Sequence, residues 1–376
     1  MRNRLLKYSC IFLLVGTGSP MMAGMISPLT PLEIRLQKDI EDTRLDDFTK
    51  IEAAFILSGV YRPDSLQHYI RWYHNLVEKI RGFPFDKFDQ AAAAGQVFSY
   101  LHTSWLKTYQ RESTDLLSIV HKKEYNCVAA TILYNLICED LGWRTEAFET
   151  PTHVYTLFSN FTQQITVENT SPMGFNIMRN LHEYSKHLAQ YYPEKEIYRI
   201  GLDRLYAYEN SKGRVINNTE LLGLLAYNRA IFARKKEAFA VAYERVLLAQ
   251  SFNVDSRSNI NFEKSLYFAW GKKLYDQKRY PDAFTVFADA VYRYPDMPEF
   301  VQNTRASFFQ SLNIFRKDLD WPDTMRLIDE IGILDVLDEQ DRERLHHMFK
   351  QWEIHFRQTG DEPRLKELQK LLQQTP

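Results

Sequence analysis

The sequence predicts an α+β protein, with a small antiparallel sheet set between two helical regions, and three observations point there. Residues 31–121 carry apolar residues at helical spacing with no strand-like alternation. Residues 144–168 hold three short β-branched or aromatic runs divided by turn signals. From residue 221 onward the helical period returns, now with small residues at recurring positions. With 376 residues, 45% of them hydrophobic, the chain can bury two or three cores.

Charge narrows the function classes. Lys and Arg number 47 against 48 Asp and Glu, so electrostatics gives no reason to expect nucleic acid or an anionic membrane as partner. Aromatic residues make up 14% and are spread through the helical segments, where they read as packing between helices.

Residues 1–24 read as a signal peptide. Arg2, Arg4 and Lys7 precede an apolar run over 8–15, small residues follow at 19–24, and cleavage is expected after Ala23. The run is too short to span a bilayer. Lys7, Tyr8 and Ser9 do not suit lipid attachment at Cys10. The mature chain would be exported and keep only Cys127 and Cys138. Both lie on one predicted helix, where a rise of about 1.5 Å per residue separates them by roughly 16 Å. Disulfides need Cα atoms within about 7 Å. An exported protein without an internal cystine has reason to keep a reactive thiol. That thiol is Cys127; Cys138, deeper on the same helix, reads as core.

Residues 25–121 form a helical lead-in. Helix is expected over 32–60 on Ile34, Leu36, Ile40, Phe48, Ile51 and Phe55, then over 65–80 after the Pro63-Asp64 break. A third helix follows over 86–109, its alanines at 91–94 allowing close approach. His102 and His121 read as surface or capping residues.

Residues 122–213 form the chemical core. Asn126 is a favoured N-cap, Val128, Ile132, Leu136 and Leu141 mark a buried helix, and Gly142 stops it. Cys127 therefore sits in the first helical turn, among unsatisfied N–H groups and the positive end of the macrodipole, which favour negative charge on sulfur. Strands are expected over 144–149, 154–158 and 165–168. His153 opens the second and Glu168 ends the third, where an antiparallel pairing lets them face one another. Glu168 would orient the imidazole while its other nitrogen takes the thiol proton; Asn169 is the alternative orienter. Residues 172–213 read as a polar, irregular cleft wall, with His182 and His187 facing solvent.

The residues YNC, LYNLICEDLG, ETPTHVY and VENTSPMGF, in that order, resemble the transglutaminase-like superfamily, whose Cys-His-acid core is related to papain-like cysteine peptidases. The likeness is closest to a bacterial branch joined to tetratricopeptide repeats. It covers about 55 residues closely and departs at the acid, where Glu168-Asn169 stands in place of the Asp-Pro of many members. It implies catalytic residues Cys127, His153 and Glu168, and a bacterial protein that is periplasmic or secreted.

Residues 214–376 read as tetratricopeptide-like helical repeats. Tyr267, Gly271, Leu274, Ala283, Phe287, Ala290 and Pro295 follow that spacing, and Ala226, Ala238 and Ala242 repeat part of it. A degenerate third pair follows over 300–315 and 322–331, then a polar capping helix pair over 340–372.

Two functions of different class fit. One is an acyl-transfer enzyme on amide or peptide bonds of a protein or peptide, with the Cys127 N–H as first oxyanion donor. The other is an inactive scaffold whose repeats hold a partner protein. The chain lacks His-x-x-x-His, Cys-x-x-Cys and phosphate-loop motifs, so neither metal nor cofactor is expected.

Overall fold

The structure, a computed structural model, describes residues 29–86, 88–318 and 321–374. The predicted signal peptide at 1–24 lies outside them. The fold is mostly helical with one four-stranded sheet, an α+β arrangement. Among the described residues, 29–263 form one compact unit and 264–374 another.

The first unit opens with helices α1 (Pro31–Asp39), α2 (Lys50–Leu57), α3 (Pro63–Arg81) and α4 (Gln90–Ser104). The single helix expected over 32–60 is two. Between them the Asp39 carboxylate accepts the backbone N–H groups of Asp46, Asp47 and Phe48 at 2.8 to 3.0 Å, and Thr43 adopts a φ of 70°. Thr49 and Glu52 then form a capping box that starts α2. Local side-chain acceptors win over apolar spacing here.

The strand pair β1 (Thr108–Tyr109) and β2 (Glu124–Tyr125) brackets α5 (Leu116–Lys122). Helix α6 (Cys127–Asp140) follows, buried along most of its length. Then come β3 (Arg144–Glu149), β4 (Val154–Ser159) and β5 (Gln164–Val167). The segment expected to be irregular contains α7 (Leu181–Ala189), α8 (Glu194–Ile200) and α9 (Leu205–Asn210). It ends in a strand the sequence did not signal, β6 (Arg214–Ile216), which completes an antiparallel sheet of order β5-β4-β3-β6. Three residues are too few to show a period.

Both faces of the sheet are covered. Val154, Phe158, Ile165 and Val167 join Ile132, Leu133 and Leu136 of α6 in the main core, while Tyr155 and Leu157 pack with Tyr184, Leu188 and Leu205 on the other side. Each fully buried side chain of this kind contributes about 1.5–3 kcal/mol. Helices α10 (Asn218–Lys235) and α11 (Phe239–Phe252) belong to this same core through Leu221, Leu222, Leu225, Leu248 and Phe252. The first compact unit thus runs to residue 263, past the limit of 213/214 read from the change of period. Local pairing of α10 with α11 reads as the start of a helical array, but their apolar faces are used by the sheet unit.

Gly174 fits tightly against the end of β5. A Cβ there would lie 1.9 Å from the Glu168 carbonyl oxygen, and the Glu168 N–H donates to the Gly174 carbonyl at 2.9 Å. Gly174→Ala must therefore move the backbone that carries Glu168. The expected result is a loss of about 1–3 kcal/mol, read as a lowered urea midpoint. An unchanged midpoint would refute the tight fit.

Helix α12 (Arg257–Asp276) spans the unit boundary. The second unit continues with α13 (Tyr280–Arg293), α14 (Pro298–Asp318), α15 (Trp321–Leu334), α16 (Glu339–Thr359) and α17 (Glu362–Gln374). Its core gathers Phe284, Phe308, Leu312, Leu327, Phe349, Trp352 and Leu368. Gly271 lets α12 and α13 approach, since a Cβ there would lie 2.4 Å from the Phe287 ring. Among the described residues, no helix is long and apolar enough to cross a membrane.

Candidate active site

Helix α6 begins as its sequence dictates. Asn126 takes the N-cap and its side chain accepts the Ala129 N–H at 3.0 Å. Cys127 becomes the first helical residue, whose N–H has no intrahelical partner. It is partly exposed and lines a cleft of about 260 Å³. Cys138 is sealed in the core, where burial pushes its thiol pKa up.

His153 sits at the end of the β3–β4 turn, which is pinned from two sides. Its N–H donates to Thr150 Oγ1 at 3.0 Å, and the Thr150 N–H donates to the His153 carbonyl at 2.8 Å. The buried Glu209 carboxylate on α9 then accepts from the hydroxyls of Thr150 and Thr152, the latter at 2.7 Å. Threonines at 150 and 152 are thus part of the apparatus that aims the histidine.

The structure brings His153 and Glu168 together. Nε2 of His153 meets Glu168 Oε2 at 2.7 Å, and neither side chain is exposed. The β4–β5 register pairs Thr156 with Val167, so His153 and Glu168 meet diagonally on one face rather than directly opposite. The second carboxylate oxygen accepts the Thr170 N–H at 3.0 Å and the Thr170 hydroxyl. Asn169 points the other way, toward Thr131 at 3.2 Å and Thr156 at 2.8 Å, and takes no part in orienting the histidine.

The other ring nitrogen of His153, Nδ1, is buried without a hydrogen-bond partner of ordinary geometry among the described residues. With Nε2 occupied by Glu168, Nδ1 is the position left for the Cys127 thiol, which acts on the ring by charge and by hydrogen bonding. Burial opposes charge on His153, but the Glu168 carboxylate and Cys127 outweigh it and hold its pKa above the ordinary 6.5. Burial likewise opposes charge on Glu168, and His153 outweighs that, holding its pKa below the ordinary 4.5.

His187 and His102 depart from their predicted places. His187 reaches inward, with Nε2 at 2.8 Å from Thr170 Oγ1 and 3.7 Å from Glu168 Oε2. It extends the row to His187, Thr170, Glu168, His153 and Cys127. No periodic signal marked it, because the turn that aims α7 could not be read. His102 is buried beside Phe98 and Tyr125 rather than on the surface, and burial pushes its pKa down to about 4.

One set of donors could suit a metal. Nitrogens of His153 and His187 and a carboxylate oxygen of Glu168 lie within 4.8 Å of one another, the N and O ligands zinc accepts. The 2.7 Å bond between His153 and Glu168 already engages two of the three, so a bound ion would have to displace it.

Tyrosines missed by the sequence reading complete the cleft. Tyr191 stacks on the His153 ring, centroids 4.8 Å apart at 29°, and Tyr109 lines the cleft beside it. The Tyr191-Tyr192-Pro193 run marked a turn but gave no hint of its contact. Across the cleft, α10 contributes Leu224, Tyr227, Ile231 and Phe232.

Titration should show the buried network. Glu168, with a lowered pKa, contributes stability that is present above about pH 4.5 and lost as pH falls further. His153, with a raised pKa, contributes stability that is full below 6.5 and declines as pH rises through its folded value. His102 and His187 are lowered, chiefly by burial, so their neutral forms favour folding above 6.5 and penalise it below. The urea midpoint is therefore expected to peak near pH 6.5 and fall on both sides. A midpoint that climbs steadily to pH 9 would contradict this account.

No family model matches the chain, and no curated protein matches it.

Proposed function

We propose that this protein is a cysteine-dependent acyl-transfer enzyme acting on amide or peptide bonds of a protein or peptide. The observation that carries the reading is the buried imidazole of His153, held through Nε2 by Glu168 at 2.7 Å, with Nδ1 left open on the side of Cys127 at a helix N-terminus in a cleft. Three groups in that order supply nucleophile, proton carrier and orienter.

In the reaction, the Cys127 sulfur adds to the carbonyl carbon and its proton resides on His153 Nδ1. His153 then gives that proton to the departing amine, leaving a thioester on Cys127. Water, deprotonated by the same nitrogen, adds to the thioester carbonyl; collapse expels the sulfur and releases the acid. An amine in place of water gives a new amide. The Cys127 N–H at the helix start is the first donor to the oxyanion. Tyr109, Tyr191, Tyr227 and Phe232 give the cleft an aromatic patch within a wall that also carries Arg111, Glu149 and Lys235, which suits an acyl donor with both apolar and polar groups near the scissile bond.

The transglutaminase-like resemblance of residues 124–175 supports the same chemistry. The close approach of α12 and α13 at Gly271 supports a tetratricopeptide-like reading of the second unit, with a protein partner as its ligand. Export to the periplasm or beyond follows from the predicted signal peptide.

Iodoacetamide tests the proposal. Near neutral pH, Cys127 should be alkylated rapidly in the folded protein while the buried Cys138 stays unmodified, and His153→Ala should slow Cys127 by at least about tenfold. Thiols that react only on unfolding would leave the scaffold reading in its place.

A further inference from the structure

The tetrahedral intermediate of acyl transfer needs more than one hydrogen-bond donor on its oxygen, and the helix start supplies one. The second must be a donor aimed into the cleft and held by nothing stronger than a neighbour that can give way. Tyr191 fits: it lines the cleft, and its hydroxyl has only that of Tyr109 beside it. Its ring is fixed by stacking on His153 and by an edge contact with His187, centroids 5.8 Å apart at 74°. Its hydroxyl is buried and has no hydrogen-bond partner of ordinary geometry among the described residues, although it lines the same cleft as Cys127. A buried hydroxyl left without a partner costs about 1–3 kcal/mol in a resting protein. A group in that state is one that gains its partner when substrate reacts.

We propose that the Tyr191 hydroxyl donates the second hydrogen bond to the oxyanion formed at Cys127. The inference rests on the acyl-transfer reading and deepens it. Burial, and next to it the electrostatic influence of Cys127, push the Tyr191 pKa well up, so the phenol remains a donor across the working range. Tyr109, whose hydroxyl approaches that of Tyr191, is pushed up to about 12, with burial first and Cys127 next among the causes. The two phenols converge on the sulfur side of the cleft, and Tyr191 alone is braced by the catalytic imidazole. As donation grows with the charge on oxygen, the contact is stronger in the transition state than in the ground state. No bond is made or broken at Tyr191; it keeps its proton throughout.

The test uses the full chain and two reagents that differ in one respect. Hydrolysis of p-nitrophenyl acetate passes through an oxyanion, whereas alkylation by iodoacetamide displaces iodide and forms none. Tyr191→Phe keeps the ring and loses only the hydroxyl. Its kcat on the ester is expected to fall on the order of 10²-fold with KM within about twofold, while the alkylation rate of Cys127 is unchanged. A peptide aldehyde, which forms an oxyanionic adduct with the thiol, should bind the variant about tenfold more weakly. Tyr191→Ala, which also removes the stacked ring, should slow alkylation as well. Unchanged ester turnover in Tyr191→Phe overturns the inference and leaves the enzyme standing, and so does slowed alkylation in that variant, since it would make Tyr191 a positioning residue for the imidazole. Wild-type Cys127 that resists alkylation overturns the enzyme reading and this inference together.

Discussion

Cys127→Ala should remove turnover of amide and ester substrates by at least about 10⁴-fold while the fold persists, because in the proposed mechanism the sulfur is the atom that bonds to substrate. Cys127 is partly exposed at the mouth of a cleft, so truncation by one atom leaves no sealed cavity. Thermal unfolding of the variant should lie within about 2 °C of wild type. The check is a parallel measurement of p-nitrophenyl acetate hydrolysis and of unfolding by circular dichroism. Full activity in the alanine variant would end the mechanism. Loss of activity accompanied by a large drop in melting temperature would show Cys127 to be structural instead. Cys138→Ala supplies the contrast: it empties space in the packed core, so it should lower stability and leave the chemistry in place.

Glu168→Ala should damage both stability and chemistry. The carboxylate is fully buried and holds three partners: the His153 imidazole at 2.7 Å, the Thr170 N–H at 3.0 Å and the Thr170 hydroxyl. Removing one side of a buried ion pair leaves the other unpaired in a low-dielectric site, a loss of about 3–5 kcal/mol. Glu168→Gln keeps the volume and separates the two effects. The amide can still accept from Thr170, so stability should be lowered less. It carries no charge to hold the imidazolium, and turnover should fall on the order of 10³-fold or more. Urea unfolding and ester hydrolysis on the same preparations distinguish them. A Glu168→Gln protein with wild-type turnover would show that the carboxylate is not the orienter.

How much of this was legible follows from the range of each signal. Cys127, His153 and Glu168 could be read because their placement depends on short local rules: an N-cap at Asn126, a stop at Gly142, and turn-bounded runs at β4 and β5 whose pleat gives side chains an alternation of faces. The diagonal meeting of His153 with Glu168 follows from that alternation once a register exists. Asn169 was the competing orienter, and the same alternation, applied one residue on, turns it to the opposite face with Thr131 and Thr156. His187 and Tyr191 were illegible as site residues because their position comes from how α7 folds back over the sheet, which no nearby residue specifies. The extent of the first compact unit was hard to read for a similar reason. The small residues of α10 and α11 look the same whether the pair opens a repeat array or packs on a sheet, and only the third partner decides.

Glu209 gives the fold a dependency that the reacting atoms do not reveal. The loop that presents the imidazole is tied down by a carboxylate arriving from a helix more than fifty residues later in the chain. Without that tether the turn keeps only the bonds between Thr150 and His153 to hold its shape. The full set of bonds at this turn therefore needs the stretch through residue 210 in place. Under the proposed chemistry, a single protease cut in the connection before α9 should lower activity while leaving Cys127, His153 and Glu168 untouched.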